Sequence, residues 1–252
     1  MVVVTNQVLD MIRAGDSLNK ISRETGLYKS TLYYHYKKIK GKKYQEPQYK
    51  IRFSEKEGEI VGIFAGDGSQ YYYKRNWGYQ TTIHFGNYSN RVEYVKKLYE
   101  NYFNKNWTTW RGVTKKGFIS YRIRVINKKI FDYFKNYLSY IAKHKHDTVK
   151  LKNLKLSKRF KIGFLRGWID TDGTVCQTKN GLKIAIYTTS KIMAKQIKIL
   201  FKDLNINTNI YKSIRPPYKD IYIINVLADS RDRLLNTIKP YKGIKWAGGS
   251  AW

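Results

Sequence analysis

Apolar residues recur at helical spacing in three short stretches at the start of the chain. The stretches are NQVLDMIRAG (6–15), SLNKISRETG (17–26) and KSTLYYHYKKIKG (29–41), and each closes on a glycine. Residues three and four apart share one face of a helix, and glycine commonly follows the last helical residue. The pattern therefore predicts a small all-α head over residues 1–44, followed by a charged, proline-bearing linker over residues 45–52.

The second and third predicted helices resemble a helix-turn-helix. Small Ser22, the turn residue Gly26 and apolar Leu32 have the spacing that this motif uses. In that interpretation the third helix enters a major groove of DNA. The residues that its exposed face would offer are Lys29, Ser30, Thr31, Tyr33, Tyr34 and Lys37. The alternative is a small helical bundle whose basic face is only solvated.

The rest of the chain contains one pattern twice. The segments SEKEGEIVGIFAGDGS (54–69) and SKRFKIGFLRGWIDTDGT (157–174) align so that an Asp-Gly pair ends each apolar stretch. Basic amphipathic stretches follow in both copies, at residues 92–103 and 194–205. A repeated pattern of this length indicates two copies of one supersecondary unit.

Each copy, over residues 53–155 and 156–252, also contains four segments rich in the β-branched and aromatic residues typical of strands. The segments are QYYYKRNW, GYQTTIHFGN, NWTTWRGV and FISYRIRVI in the first copy and GTVCQT, GLKIAIYTT, NTNIYKSIR and DIYIINVLA in the second. The predicted order within a copy is helix, two strands, helix, two strands, helix (αββαββα). The fold class is therefore α+β, with two antiparallel sheets that carry helices on one face and leave the other face free.

The segments IVGIFAGDG (60–68) and LRGWIDTDG (165–173) resemble the LAGLIDADG motif. Two such motifs, each in the same place within a repeat, make residues 53–246 similar to the single-chain homing endonucleases. The resemblance implies two pseudo-symmetric αββαββα repeats that form a DNA-binding saddle. It also implies metal-dependent hydrolysis of both strands of a double-stranded DNA target.

The residues of the two motifs support this interpretation independently. Small residues stand one helical turn apart, Gly62 with Gly66 and Gly167 with Thr171, so that two motif helices could pack with their backbones close together. An aspartate then ends each helix, before a glycine expected in left-handed conformation. Two carboxylates at two helix C-termini repel each other, and a hard divalent cation between them would relieve that repulsion.

The resemblance places the metal ligands, and the catalytic role, on Asp67 and Asp172. The residues before them, Gly66 and Thr171, are expected in the same metal site, and the cofactor is expected to be Mg²⁺ or another divalent cation such as Mn²⁺. Asp170, one position removed, is interpreted as a capping or supporting group.

The family also places basic residues beside the scissile phosphates. IKPYKGIKW (238–246) resembles the segment that supplies such a lysine, which assigns the role to Lys245. In the first repeat YIAKHK offers Lys143 or Lys145, and the choice stays open, although Lys143 is included among the catalytic candidates. Asn87 and Thr189 match positions where the family often has a polar residue that positions water, and an ordinary helix N-cap is nearly as good an interpretation.

Charge strengthens the case for a polyanionic partner. Lysine and arginine number 49 against 18 acidic residues, a formal net charge of +31. Basic residues near phosphates release condensed counterions, which favours nucleic acid. Membrane adsorption is disfavoured because no apolar run approaches the roughly 20 residues that a span needs and no signal peptide opens the chain. A single cysteine, Cys176, fits a reducing, intracellular and cytoplasmic location.

Alternate residues of a strand share one face, so YRIRVI would present Arg122 and Arg124 together to base edges. The candidate DNA contacts in the repeats are Gln70, Tyr72, Lys74, Arg75, Asn87, Arg111, Arg122, Arg124, Gln177, Lys179, Lys183, Thr189, Lys212, Arg215 and Lys219. Because the two copies differ strongly, a monomer is expected to recognise a long asymmetric site.

Two other functions remain open at this level. One is a DNA-binding regulator that retains the LAGLIDADG scaffold without cleavage, and the helical head favours it. The other is an RNA maturase, whose partner would be its own intron RNA. Retention of both aspartates and Lys245 favours cleavage, because a protein that only binds gains little from two adjacent carboxylates.

Overall fold

The computed structural model of the chain divides into two compact units, Met1–Gln48 and Tyr49–Trp252. The structure describes residues 5–41, 49–74, 78–86, 89–113, 117–179, 181–241 and 245–246. None of the helices within these ranges is both long and apolar enough to cross a membrane.

The first unit contains the three short helices that periodicity predicts. They are α1 (Asn6–Ala14), α2 (Leu18–Thr25) and α3 (Lys29–Lys40). Their shared core consists of Val8, Ile12, Ile21 and Leu32. Gly15 and Gly26 end the first two helices in left-handed backbone, with φ of 96° and 70°. The turn before α3 is closed by Ser22, whose hydroxyl donates a hydrogen bond to the carbonyl oxygen of Leu27 at 2.8 Å.

The first repeat of the second unit has the predicted order of elements. Its elements are α4 (Glu55–Asp67), β1 (Gly68–Tyr73), β2 (Gly78–Phe85), α5 (Ser89–Phe103), β3 (Thr108–Val113), β4 (Ile119–Ile126) and α6 (Lys128–Tyr133). The strands form an antiparallel sheet in the order β1-β2-β4-β3. A connecting segment follows, with the strand pair β5 (Leu138–Ser139) and β6 (Lys150–Leu151) and, between them, the one-turn helix α7 (Lys145–Thr148).

The second repeat has the same order, with one addition. Its elements are α8 (Lys158–Asp172), β7 (Gly173–Thr178), β8 (Gly181–Thr188), α9 (Lys191–Lys202), β9 (Thr208–Ser213), β10 (Ile221–Val226), α10 (Arg231–Ile238) and β11 (Lys245–Trp246). Strand β11 pairs in parallel with β7, so this sheet has the order β11-β7-β8-β10-β9. This fifth, parallel strand is not among the elements predicted from the sequence.

The two motif helices α4 and α8 pack with their backbones in direct contact. A Cβ atom on Gly62 would lie 2.2 Å from the carbonyl oxygen of Phe164, and one on Gly167 would lie 2.4 Å from that of Glu59. Gly58 and Gly163, one turn earlier, are equally close to the opposite helix, an extension that the motif alone did not indicate. Because main chain touches main chain, both helices end side by side.

Candidate functional site

Asp67 and Asp172 end the paired helices α4 and α8, and strands start directly after them. The glycines that follow are not left-handed, as the sequence analysis expected, but extended: φ is −82° at Gly68 and −100° at Gly173. The requirement for glycine at position 68 is therefore steric and does not come from a left-handed backbone. A Cβ atom on Gly68 would lie 2.4 Å from the carbonyl oxygen of Phe64.

The carboxylate of Asp172 lies across the helix interface from the first motif. A Cβ atom on Gly66 would lie 3.0 Å from Asp172 Oδ2 and 2.1 Å from Thr171 Oγ1. Because Gly66 has no side chain, the side chains of Thr171 and Asp172 fit against the first motif next to Asp67. The hydroxyl of Thr171 donates within its own helix, to the carbonyl oxygen of Trp168 at 2.9 Å.

Lys145, in α7, reaches into this centre. Its Nζ donates to the carbonyl oxygens of Ala65 at 2.6 Å and Gly66 at 2.9 Å, and the residue is 9% exposed. Burial lowers the pKa of its ammonium group from 10.5 to about 8, although the carboxylates of Asp172 and Asp67 act in the opposite direction. An ammonium group near the C-terminus of α4 also offsets the negative end of the helix dipole.

Of the two lysines of YIAKHK, the structure places Lys145 and not Lys143 beside the first motif. Lys143 lies exposed in the 3₁₀ turn Ala142–His144, whereas Lys145 is buried against the first motif. The proline and tyrosine that mark the second-repeat segment are missing here, so sequence alone did not distinguish residues two apart. The start of α7 at Lys145 determines which of them points inward.

Arg91, in the first turn of α5, was not predicted. Its guanidinium Nη2 lies 3.7 Å from Asp67 Oδ2, and its side chain is 12% exposed. Nothing in the sequence pattern pairs a residue of α5 with the end of α4. The fold brings them together because α5 follows β2, the strand paired with the strand that begins after Asp67.

The oxygen donors at this centre fit a hard divalent cation. Within the described ranges, no three His, Cys, Asp or Glu side chains converge. A cation would therefore be held by the carboxylates of Asp67 and Asp172 and completed by main-chain, water and phosphate oxygens, a set that Mg²⁺ accepts. The carbonyl oxygen of Gly66 already accepts a hydrogen bond from Lys145 Nζ. Its second lone pair is therefore the one that could contact a cation.

Asp170 connects α8 to the segment that leads towards Lys245. Its Oδ2 accepts from the backbone N–H of Tyr241 at 3.2 Å, and the Tyr241 ring stacks on Tyr94 of the first repeat with centroids 4.5 Å apart. The backbone of Lys245 pairs with Cys176 of β7. The side chain of Lys245 lies outside the described part of the structure, as do the predicted DNA contacts Arg75 and Asn87.

Strand register shows which side chains occupy the helix-free face of each sheet, called here the open face. Ile83 and Ile123 are opposite partners and are buried beneath the helices, so their neighbours His84 and Arg122 point to the open face. Open-face side chains of the first repeat include Ser69, Tyr71, Tyr73, Gln80, Thr82, His84, Trp110, Arg122 and Arg124. Those of the second repeat include Cys176, Lys183, Tyr187, Asn209, Tyr211 and Asn225.

Several predicted DNA contacts have the wrong register for the open face. These are Gln70, Tyr72, Arg111, Gln177 and Lys212, which alternate with open-face residues. The amide of Gln70 illustrates the reason, since its Nε2 donates to the carbonyl oxygen of Phe131 at 2.7 Å and its Oε1 accepts from the Tyr140 hydroxyl. The strand QYYY has aromatic residues on both faces, so its sequence carries no alternation to fix the register.

Other predicted contacts are engaged within the protein. Lys212 pairs with Asp220 at 2.5 Å, Lys219 pairs with Asp147, and Thr189 Oγ1 donates to the carbonyl oxygen of His146 at 2.9 Å. Lys74, Lys179 and Arg215 lie exposed outside the strands. In the head, α3 exposes Lys29, Ser30, Tyr33, Tyr34 and Lys37, whereas Thr31 is half-buried.

The open face of the first sheet joins cationic and aromatic groups. The guanidinium of Arg122 lies 4.7 Å from the centre of the Trp110 ring. His84 Nε2 and Ser69 Oγ are hydrogen-bonded at 2.8 Å. Burial, with the nearby charges of Arg122 and Lys145, lowers the pKa of His84 below its ordinary 6.5, so the imidazole is neutral at pH 7. The sequence analysis selected neither Trp110 nor His84.

Comparisons with known proteins bear on this geometry. Residues 159–239 match the family profile described as LAGLIDADG-like domain. The homing endonuclease I-DmoI in complex with DNA and Ca is 18% identical with a TM-score of 0.56, and the match covers 75% of this chain and 91% of that one. For I-DmoI with DNA and Mn the values are 18%, 0.55, 74% and 97%.

A second solved relative is the homing endonuclease I-WcaI bound to its DNA recognition sequence. It is 17% identical with a TM-score of 0.51, and the match covers 87% of this chain and 92% of that one. No curated protein matches the chain in sequence. At these identities the structural likeness establishes the fold.

Proposed function

Because residues 159–239 form a LAGLIDADG-like domain and the chain has the fold of the single-chain homing endonucleases, we propose that it is a site-specific, metal-dependent DNA endonuclease. The observation that carries the proposal is the meeting of Asp67 and Asp172 at two touching helix ends with Lys145 beside them. A binding protein would lose stability by keeping carboxylates together there and would gain no contact with DNA, which is itself negatively charged.

Asp67 and Asp172 would hold the cation, with Mg²⁺ or Mn²⁺ as the expected metal. When bound, the cation would lower the pKa of a water molecule and stabilise charge on the phosphate and the leaving 3′ oxygen. Lys145 and Arg91 supply positive charge on the protein side of the same centre. Lys145 is oriented by the carbonyl oxygens of Ala65 and Gly66, so its charge is already in place before a phosphate arrives.

Cleavage of both strands follows from the two-fold arrangement of the motifs. Asp67 and Asp172 occupy equivalent positions in the two repeats, and the antiparallel strands of DNA present scissile phosphates in a matching two-fold relation. We assign Lys245 to the second repeat as the counterpart of Lys145. The two repeats differ in their open-face residues, so a monomer would recognise an asymmetric target.

DNA would lie on the open faces of the two sheets. Arg122 and Arg124 stand on alternate positions of β4, and Lys183 stands on β8. Arginine and lysine on such a surface can bind phosphates or guanine edges, and Asn or Gln can bind adenine. The net charge of +31 adds a strong, salt-dependent attraction to any duplex.

The head would add contacts beyond those of the repeats. Its helix α3 exposes Tyr33, Tyr34 and Lys37 next to a turn of helix-turn-helix type. The same feature supports a second candidate function, a regulator that binds DNA without cutting it. The two functions differ in what they require of Asp67 and Asp172, since only cleavage depends on both.

The test is selection of cleaved sequences from a randomised duplex library with Mg²⁺, using the full chain. Wild type should yield one long site with both strands cut. Asp67→Asn and Asp172→Asn should bind that site and cut slowly or not at all. If wild type binds a specific site in Mg²⁺ or Mn²⁺ and leaves it intact, the regulator function is correct instead.

A further inference from the structure

The segment that carries Lys145 belongs to the first repeat by sequence, and residues of the second repeat also bind it. Thr189 Oγ1 donates to the carbonyl oxygen of His146 at 2.9 Å. Ser190 Oγ donates to the carbonyl oxygen of Val149 at 2.8 Å. Both donors stand just before α9, so α7 is anchored at two points to the start of a second-repeat helix.

Gln196 holds the end of the same segment from within α9. Its Oε1 accepts from the backbone N–H of Leu151 at 2.8 Å, and its Nε2 donates to the carbonyl oxygen of Leu151 at 2.9 Å. A planar amide that makes two opposed bonds to one residue fixes both its position and its orientation. Leu151 is buried, so few other polar groups could replace the Gln196 amide as the hydrogen-bond partner of its backbone.

These anchors are themselves rigid. Ser190 is 1% exposed and caps α9, because its Oγ also accepts from the backbone N–H of Met193 at 3.2 Å. Lys219, in the loop before β10, adds an ion pair to Asp147. Together Thr189, Ser190, Gln196 and Lys219 form what we call the α7 clamp.

On its other side α7 contacts the first motif through one long side chain. Lys145 Nζ spans to the carbonyl oxygens of Ala65 and Gly66 at the end of α4. The four-residue helix α7 is too short to be stable in isolation. Its place therefore depends on external anchors. The second repeat supplies hydrogen bonds to His146, Val149 and Leu151. The first repeat adds the pairing of β5 with β6 and a hydrogen bond from the backbone N–H of Ile141 to Thr148 Oγ1 at 2.9 Å.

We propose that Thr189 and Gln196 are positioning residues through which the second repeat completes the first motif's centre, by holding the one-turn helix that carries Lys145. The catalytic consequence rests on the proposed function, and the structural part does not. Thr189 was predicted to position water or contact DNA. In the structure its hydroxyl donates to the carbonyl oxygen of His146.

Chemical acylation of lysines tests the structural part. The full-length protein, without DNA or metal, is treated with a succinimidyl ester, and peptides containing Lys143 and Lys145 are quantified by mass spectrometry. In wild type Lys145 should react slowly because it is buried, while exposed Lys143 provides an internal reference. In Thr189→Val and in Gln196→Leu, labelling of Lys145 relative to Lys143 should rise about two- to tenfold, the effect of losing one or two net hydrogen bonds.

Two further variants separate positioning from general loosening. Thr189→Ser keeps the hydroxyl and should restore the labelling ratio of wild type. Asn207→Ala removes a different second-repeat hydrogen bond, from Asn207 Nδ2 to Asp229 at 2.8 Å, and should leave the ratio unchanged. If Gln196→Leu does not fold, Thr189→Val carries the test with its serine control.

Single-turnover cleavage of saturating target DNA tests the catalytic consequence. Thr189→Val and Gln196→Leu should lower the rate several-fold with a dissociation constant within about twofold of wild type, because Lys145 and not the DNA surface is displaced. Unchanged labelling of Lys145 in both variants would overturn the proposal. A wild type that binds but never cuts would instead refute the proposed function, and the labelling result would still decide the structural part.

Discussion

Lys145 Nζ lies 2.9 Å from the carbonyl oxygen of Gly66, the residue immediately before Asp67. The ammonium group of Lys145, near the end of the first repeat, is thus held at the C-terminus of α4, the helix that begins that repeat. The neighbouring carboxylates of Asp67 and Asp172 both act on the same ammonium group. This arrangement makes Lys145 the residue from which the main predictions follow.

Replacement of Lys145 should remove catalysis without removing binding. Lys145→Met is expected to lower the single-turnover cleavage rate by about 10²- to 10³-fold, the usual effect of deleting one preorganised electrostatic group. The dissociation constant for target DNA should stay nearly constant, because Lys145 is buried and its ammonium group already donates to two carbonyl oxygens of the protein. Lys143→Met is the matched control and should cut at the wild-type rate; equal losses in the two variants would contradict the assignment.

The lowered pKa of Lys145 should appear in the stability of the protein. Below pH 8 the folded state must bury an ammonium that the unfolded state solvates, so Lys145 destabilises the fold fully there. Between pH 8 and 10.5 the unfolded state binds the extra proton, and this destabilisation disappears as pH rises. Relative to Lys145→Met, wild type should therefore gain about 2 to 3 kcal/mol across that range.

Urea unfolding followed by tryptophan fluorescence measures this gain, in the absence of metal and DNA. All tryptophans lie after residue 48, so the signal reports on the unit that contains Lys145. The difference between wild type and Lys143→Met should show no such trend. A difference between wild type and Lys145→Met that is flat from pH 7 to 10.5 would show that the ammonium has an ordinary pKa.

Contact between the motif helices predicts a strong effect of one methyl group. Gly62→Ala would place a Cβ atom 2.2 Å from the carbonyl oxygen of Phe164, so the helices must separate. We expect a loss of about 2 to 3 kcal/mol in the free energy of unfolding, typical of overpacking against an unyielding neighbour. Gly26→Ala meets no atom within 4 Å, and the strain of its left-handed backbone falls on the head. The head contains no tryptophan, so the tryptophan-detected transition should stay unchanged.

Strand register predicts opposite behaviour for two adjacent tyrosines. Tyr71 is 59% exposed on the open face, whereas Tyr72 points to the helix side and packs with its ring centroid 4.7 Å from that of Tyr79. Tyr71→Ala should weaken binding of target DNA by roughly 1 to 3 kcal/mol, measured by fluorescence anisotropy. Tyr72→Ala should lower stability and leave affinity nearly unchanged, and the reverse result would place the DNA on the other face.

The sequence predicted the elements of the fold well because its repeats preserve strong local patterns. The motif helices begin directly after Ser54 and Ser157, which cap them through side-chain hydrogen bonds, and end at the aspartates. Strand segments were recognisable from their aromatic and β-branched content. These features depend on residues that are close together in the sequence, so they can be recognised without knowledge of the fold.

Features that depend on pairing across the chain were missed or left open. The choice between Lys143 and Lys145 depends on where the single turn of α7 starts, and His146 in that turn is hydrogen-bonded to Thr189, 43 residues along the chain. Arg91 reaches Asp67 only once α5 has packed. Gln70 and Tyr72 were selected as candidate DNA contacts although they lie on the helix side of β1, because tyrosines fill both faces of that strand and hydrophobicity does not distinguish them.

The glycine contacts between α4 and α8 also constrain how this protein can change over time. At Gly62 and Gly167 the main chains of the two helices touch. No side chains lie between them there, so substitutions cannot change the distance between the helices in small steps. The separation of the two aspartates is therefore a property of peptide geometry rather than of side-chain composition. If the proposed function is correct, open-face residues can diverge to new DNA sequences while the spacing between the two cuts stays constant.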